Sequence, residues 1–208
     1  GLITYMRTDS TRISKEMQET AKEFILRNYG EDYYPSKPNV YGSKGSAQDA
    51  HEAIRPTSLE LTPKMVEPFL SRDELKLYTL IWNRFMASQM APQQNESTTI
   101  ELTVQNDYTF KATGSRVIFP GFSAVYEDTK KEDAPQLPAL KKNDAAHTVE
   151  VLPEQHFTQP PPRYSEASLI KTLEELGIGR PSTYAPILDT IVSRNYVENT
   201  NKQFVPTE

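Results

Sequence analysis

Gly1-Leu2-Ile3-Thr4-Tyr5-Met6-Arg7-Thr8-Asp9-Ser10 opens the chain and is its most informative stretch. Leu2 to Met6 are β-branched, aromatic or aliphatic, which predicts a short strand. Side chains at i, i+2 and i+4 of a strand share one face, so Tyr5, Arg7 and Asp9 project together if the extended backbone continues to Asp9. A phenol beside a guanidinium can act as a nucleophile. The cation favours the phenolate and can also hold a phosphate under attack. Spacing alone favours a plainer description, a surface Tyr–Arg pair on an edge strand.

The 208 residues allow one or two cores, or two to three small subdomains. Hydrophobic residues at 37% and charged residues at 25% exclude a disordered or fibrous chain. No run approaches the roughly 18 to 20 apolar residues that cross a membrane, and no signal peptide is visible. A start at Gly1, already inside a strand-like segment, leads us to expect an excerpt from a longer polypeptide. Zero cysteines exclude disulfides and thiolate metal sites. The net charge of −5, from 23 basic and 28 acidic side chains, supplies no global field to attract a polyanion. Any nucleic acid must be held at a few local sites, and the chain by itself is expected to bind DNA weakly and with strong salt dependence.

Three blocks succeed one another along the chain. In residues 1–91, Ser14 is an N-cap for a helix carrying Met17, Ala21, Phe24 and Ile25, and Gly30 ends it. Glu31 to Gly45 reads as a long loop, and Ser46 to Ile54 as a short helix stopped by Arg55-Pro56. Pro63 suits a helix first turn. Ser71-Arg72-Asp73-Glu74 is a capping box opening a helix with Leu75, Tyr78, Ile81, Trp82, Phe85 and Met86 on one face. Trp82 is read there as core. Residues 92–160 are β-rich, with strands expected over 97–104, 108–113, 117–119 and 147–152. Turns are expected at Asn106-Asp107 and Gly114-Ser115, and a charged loop over 127–144. Residues 161–208 come after a stiff Pro160-Pro161-Pro162 linker. Ser165 caps a helix with Leu169, Leu173 and Leu176. A turn at Gly177-Ile178-Gly179-Arg180 then leads to a second helix beginning at Pro181. Tyr196-Val197, a polar turn at Asn199-Thr200-Asn201, and Phe204-Val205 make a hairpin. Helix, tight turn, helix and hairpin is the order of a winged helix-turn-helix, which also occurs as a protein-binding module.

Four ordered strings carry a resemblance. Ile3-Thr4-Tyr5-Met6-Arg7-Thr8-Asp9-Ser10 resembles the active-site tyrosine motif of type IA DNA topoisomerases, and within them of the bacterial DNA topoisomerase I family. Ala50-His51-Glu52-Ala53-Ile54-Arg55-Pro56, Phe157 to Leu169 and Gly177 to Ala185 come next, in the family's order. Fragment length and the β block resemble topoisomerase I more than topoisomerase III or reverse gyrase. The resemblance implies an α+β multidomain fragment of the family's toroid: a helical tyrosine-bearing domain, a β-rich arch segment and the start of a winged-helix-like base domain. It also implies a cytoplasmic, nucleoid-associated enzyme that cleaves and religates one DNA strand, without ATP, to relax negatively supercoiled DNA.

By the resemblance Tyr5 is the nucleophile and Arg7 its catalytic partner. Arg7, Asp9, His51, Arg180, Ser182, Thr183, Arg194 and Asn195 are DNA contacts, with Asp9 alternatively orienting Arg7 or capping the next helix. Glu52 and Arg55 are expected to form a structural network. Residues Gly179 to Thr183 also have a physical logic as an anion site, since a glycine turn, a helix N-terminus, an arginine and two hydroxyls converge there. The family's Mg²⁺ is held by an acidic cluster on a separate N-terminal domain. No closely spaced Asp-x-Asp pair occurs here, and Asp107, Asp128, Glu132, Asp133 and Asp144 read as solvated surface. The implied partners are single-stranded or negatively supercoiled DNA and that missing acidic domain. The chain alone is therefore expected to be inert. The alternative is a non-catalytic winged-helix and β module that binds DNA or protein, which suits the acidic charge but leaves the Tyr-x-Arg-x-Asp segment unexplained.

Overall fold

The computed structural model describes residues 1–8, 10–41, 51–104, 108–126 and 137–207. The fold is mixed α+β, with two compact units spanning Gly1–Thr148 and Val149–Glu208.

The first unit is organised by two helices. α1, Lys15–Asn28, starts where the Ser14 hydroxyl accepts from the Met17 N–H, and it buries Met17, Ala21, Phe24 and Ile25. A short α2, Pro63–Val66, carries its proline in the first turn. α3, Arg72–Gln89, opens on the expected reciprocal capping of Ser71 and Glu74. It buries Tyr78, Trp82, Phe85 and Met86 against the α1 stripe, Leu59 and Val66. Trp82 is a core residue at 5% exposure, meeting Phe24 edge-on at 5.9 Å between ring centroids. Burying side chains of this size supplies about 1.5–3 kcal/mol each, which makes this cluster the main stabiliser of the unit.

Beyond α3, β1 (Gln94–Val104) pairs antiparallel with β2 (Tyr108–Phe119), from Gln94 opposite Phe119 to Val104 opposite Tyr108. Gly114 and Ser115, expected as a turn, lie inside β2 opposite Thr98 and Ser97. Continuous cross-strand pairing on both sides outweighs the local turn preference of that dipeptide. The hairpin base is tied to the helical body. The Ala91 N–H donates to the Tyr33 carbonyl at 2.8 Å, and the Phe122 N–H to the Ala91 carbonyl at 2.9 Å. Gly121 makes this approach possible, because it has φ +52° and a Cβ there would lie 2.5 Å from the Pro92 carbonyl oxygen.

Three further expectations differ from the fold. The opening strand is a single antiparallel bridge, Ile3 to Pro56. Residues 51–54 are not helical, because Ala53 and Arg55 spend their backbone groups on the opening segment instead. Residues 147–152 alternate as a strand would but pair with nothing among the described residues. Asp9, Ser46 to Ala50, the Asn106-Asp107 turn, and Asp128, Glu132 and Asp133 of the charged loop lie outside the described residues.

The second unit runs helix, turn, helix, hairpin as expected. α4, Glu166–Glu175, is capped by Ser165. α5 is Tyr184–Ser193, so Pro181 sits ahead of the helix rather than in its first turn. β3 (Val197–Thr200) and β4 (Gln203–Pro206) are antiparallel, and their turn falls at Asn201-Lys202, both left-handed. Positive φ at both central positions is what a tight two-residue hairpin of matching twist requires.

Candidate active site

The tyrosine segment and the His51 segment lie far apart in sequence and are stitched together antiparallel. Thr4 is the centre of the stitching. Its N–H donates to the Arg55 carbonyl at 2.9 Å. Its Oγ1 donates to the Ala53 carbonyl at 2.8 Å and accepts from the Arg55 N–H at 3.0 Å. On one side, the Thr57 N–H donates to the Leu2 carbonyl at 3.0 Å. On the other, the Ala53 N–H donates to the Arg12 carbonyl at 2.8 Å. Ser10, buried at 6% exposure, donates its hydroxyl to the His51 carbonyl at 2.7 Å, and the Arg12 Nε–H reaches the same oxygen at 3.3 Å.

Glu52 locks this arrangement to α1. Its Oε1 accepts from the Ser14 N–H and the Arg55 Nε–H, both at 3.0 Å, while Oε2 accepts from Arg55 Nη2 at 3.0 Å. Burial pushes the Glu52 carboxyl up, but the Arg55 and Ser14 hydrogen bonds and the Arg55 charge together outweigh it. The net position lies below the usual carboxylate value of 4.5. Glu52 and Arg55 thus form the structural network expected for them.

The reactive candidates stand at the edge of this clamp. Tyr5 follows Thr4 directly and is 83% exposed. The Arg7 N–H donates to the Tyr5 carbonyl at 2.9 Å, so the backbone turns just after the tyrosine instead of running extended to residue 9. The alternating face expected for Tyr5 and Arg7 is therefore replaced by a tight turn. His51 is half-buried with its Nδ1 inside the protein, and its carbonyl is held by Ser10 and Arg12. An exposed phenol on a backbone pinned on one side can be reached by a nucleic-acid backbone and attack it. Thr4, Ser10, Arg12 and Ser14 carry no signal of this role in the sequence, because their partners lie 38 to 51 residues away.

The second unit gathers the remaining candidates at two turns. Gly177 and Gly179 have φ +69° and +79°, reversing the chain after α4. The Arg180 N–H donates to Thr183 Oγ1 at 2.8 Å, and that hydroxyl donates to the Arg180 carbonyl at 3.0 Å. Thr183 therefore closes its own turn. Arg180 and Ser182 are exposed ahead of α5. At the far end of that helix Asn195 is left-handed with φ +53°, and its carbonyl accepts from the Thr207 hydroxyl. Asn195 thus has a structural task, ending α5 and anchoring the hairpin, that residue order alone did not reveal. Arg194, beside it, is exposed.

A family model described as DNA topoisomerase matches residues 1–208. The chain belongs to the DNA topoisomerase family. Among solved structures, full-length topoisomerase I from Thermotoga maritima is similar to it, with 39% sequence identity and a TM-score of 0.78. That match covers 99% of this chain and 33% of the Thermotoga chain, so the present topoisomerase chain spans a third of that relative's length. The family resemblance carried by the four motifs therefore holds. Among the described residues of this topoisomerase, no three His, Asp or Glu side chains come together as a metal site would require. No helix among them is long and apolar enough to cross a membrane.

Proposed function

We propose that this chain is the nucleophile-bearing central part of a type IA DNA topoisomerase, acting in the cytoplasm on single-stranded or negatively supercoiled DNA. The observation that carries the reading is Tyr5: exposed, followed by Arg7, and mounted on a backbone pinned by Thr4 to the His51 segment. The Tyr5 oxygen attacks a backbone phosphorus, forming a P–O bond to the tyrosine while the bond to the 3′ oxygen breaks. The phenol proton is lost and the departing 3′ oxygen takes one up. Religation runs the same exchange backwards, so one phosphodiester replaces another and no nucleotide energy is needed. Arg7 stabilises the charge that develops on the pentacovalent phosphate, a contribution typically worth a few kcal/mol. His51 is the proposed contact to the scissile-region phosphate, and Asp9 a further proposed DNA contact. Arg180, Ser182, Thr183, Arg194 and Asn195 hold the strand at backbone phosphates.

The acidic side chains of the described residues do not fit a magnesium site, so no step here runs through the ion. Its ligands are proposed to lie on a separate acidic domain of the complete polypeptide, and this chain is proposed to be inert by itself. The test is covalent trapping. The chain is mixed with the separately produced acidic domain, Mg²⁺ and a 3′-labelled single-stranded oligonucleotide, then denatured and resolved on a gel. A labelled protein band that disappears with Tyr5→Phe is the expected result. A band that survives Tyr5→Phe, or no band although the parts associate and bind the DNA, sinks the proposal in favour of a binding module. Metal-dependent relaxation of supercoiled DNA by this chain alone contradicts the inertness.

A further inference from the structure

The two stitched segments also form, through Ile13 and Ile54, part of the wall of a cleft of about 1230 Å³. The opposite walls come from the second half of α3 and from the base of the β1–β2 hairpin, at Phe85, Val117 and Phe122. Ligand clefts for molecules of drug or nucleotide size run to roughly 300–1,000 Å³, so the space suffices. Its chemistry differs from that of the chain as a whole. The chain carries 28 acidic against 23 basic side chains. Yet among the described residues lining the cleft none is acidic, and Arg84 is the one cation.

Arg84 lies over an aromatic ring, its guanidinium carbon 5.2 Å from the centre of Tyr126, within cation–π reach. A guanidinium held by a ring still carries a planar fork of N–H donors, the group that meets phosphate oxygens in pairs. A second aromatic wall is held in place, since the Tyr41 hydroxyl donates to the Ser88 carbonyl at 2.8 Å. Burial raises the Tyr41 pKa, with the Arg84 charge opposing it, so near neutral pH this wall is an uncharged phenol close to a cation. The amides that line the cleft are already engaged. The Asn39 N–H₂ donates to the Ser88 and Met90 carbonyls at 2.9 and 3.2 Å, and the Gln93 N–H₂ to Asn95 Oδ1 at 2.7 Å.

We propose that this cleft is a second DNA subsite, taking a nucleotide of single-stranded DNA with its phosphate on Arg84 and its base against the Tyr41 ring. This rests on the reading of the chain as a DNA topoisomerase and extends it to residues outside the four motifs. A cation with aromatic walls, and with amide donors committed elsewhere, recognises the phosphate and the base face but not the base edge. The subsite is therefore tolerant of sequence.

The test is fluorescence anisotropy of a labelled oligo-dT strand with this chain, at several salt concentrations. Arg84→Ala is expected to weaken binding about ten-fold and to flatten the salt dependence by about one phosphate contact. Arg84→Lys is expected to restore the salt dependence but not the full affinity, because an ammonium does not stack as a guanidinium does. An oligo-dC strand is expected to show the same Arg84 dependence. Unchanged affinity and salt slope in Arg84→Ala overturn the proposal, as does absence of saturable binding by the unsubstituted chain. A lower melting temperature with unchanged DNA affinity also overturns it and assigns the cleft to protein packing. The Tyr5 trapping experiment reports separately, so its failure and the failure of this subsite are told apart.

Discussion

The stitched segments around Thr4 and the glycine turn ahead of α5 both present candidate phosphate contacts, yet they are built in opposite ways. The first is closed by bonds that span 38 to 51 residues, from Thr4, Ser10 and Ser14 to residues 51–55. The second is closed by bonds between positions 180 and 183. A site made of long-range bonds exists only while the α1–α3 core holds its two segments side by side. A site made of local bonds carries its geometry with it. The proposed nucleophile therefore sits on the element whose shape depends on the whole unit, and the proposed strand anchor on the one that depends least on it.

The largest break in this comparison is expected at Glu52. Glu52→Gln removes the carboxylate that joins Ser14 and Arg55, leaving a mostly buried guanidinium with a weaker partner. A loss of about 3 kcal/mol is expected in urea unfolding of the first unit. The pH dependence has a definite sign. The Glu52 carboxyl lies lower in the folded chain than its ordinary value of 4.5. Its stabilisation is thus present above that value and is lost as pH falls through the folded value. Wild-type stability should drop in that acid range, and Glu52→Gln should show a shallower drop.

Thr4→Val comes next. It keeps the shape of the side chain but strands the Ala53 carbonyl and the Arg55 N–H, for about 2 kcal/mol. Thr4→Ser should recover most of that. In the reconstituted trapping assay the valine variant should form covalent complex more slowly at saturating DNA, and the serine variant nearly normally. Equal trapping rates for both would show that Thr4 does not position Tyr5.

Gly179→Ala probes the local site. With φ +79° and a Cβ that would meet Thr183, Tyr184 and Ile187 at 3.1–3.2 Å, about 1–2 kcal/mol is expected. Hydrogen exchange should quicken at the start of α5 while the amides of Ala53, Arg55 and Thr57 keep their protection. The smallest effect is expected from Thr183→Ser. It retains the hydroxyl that closes the turn, and should change stability by only a few tenths of a kcal/mol.

Much of this architecture is legible in the residue order. Capping boxes, the apolar stripes of α1 and α3, the buried Trp82 and the helix–turn–helix–hairpin order are local patterns. Local patterns survive without knowledge of the partner. The four motifs likewise named the family. Most of what failed did so because a segment's pairing, or a turn that its composition does not announce, overrode the local pattern; residues 147–152 alternate but find no partner among the described residues. Residues 51–54 pair with the opening segment instead of coiling into a helix. Gly114-Ser115 obeys its pairing with β1, and Tyr5 to Arg7 bend where an isolated strand would continue.

The sequence by itself determined which side chains are candidates for the chemistry, because Tyr5, Arg7, His51 and Arg180 are identities that no fold can change. Only the tertiary structure decided how they are held. Thr4, Ser10 and Ser14 become supports, Glu52 becomes a lock, and Arg84 becomes the cation of a cleft through packing across the unit. Hydrogen bonds and cation–ring contacts depend on distances of a few ångströms between residues that sequence separation does not constrain.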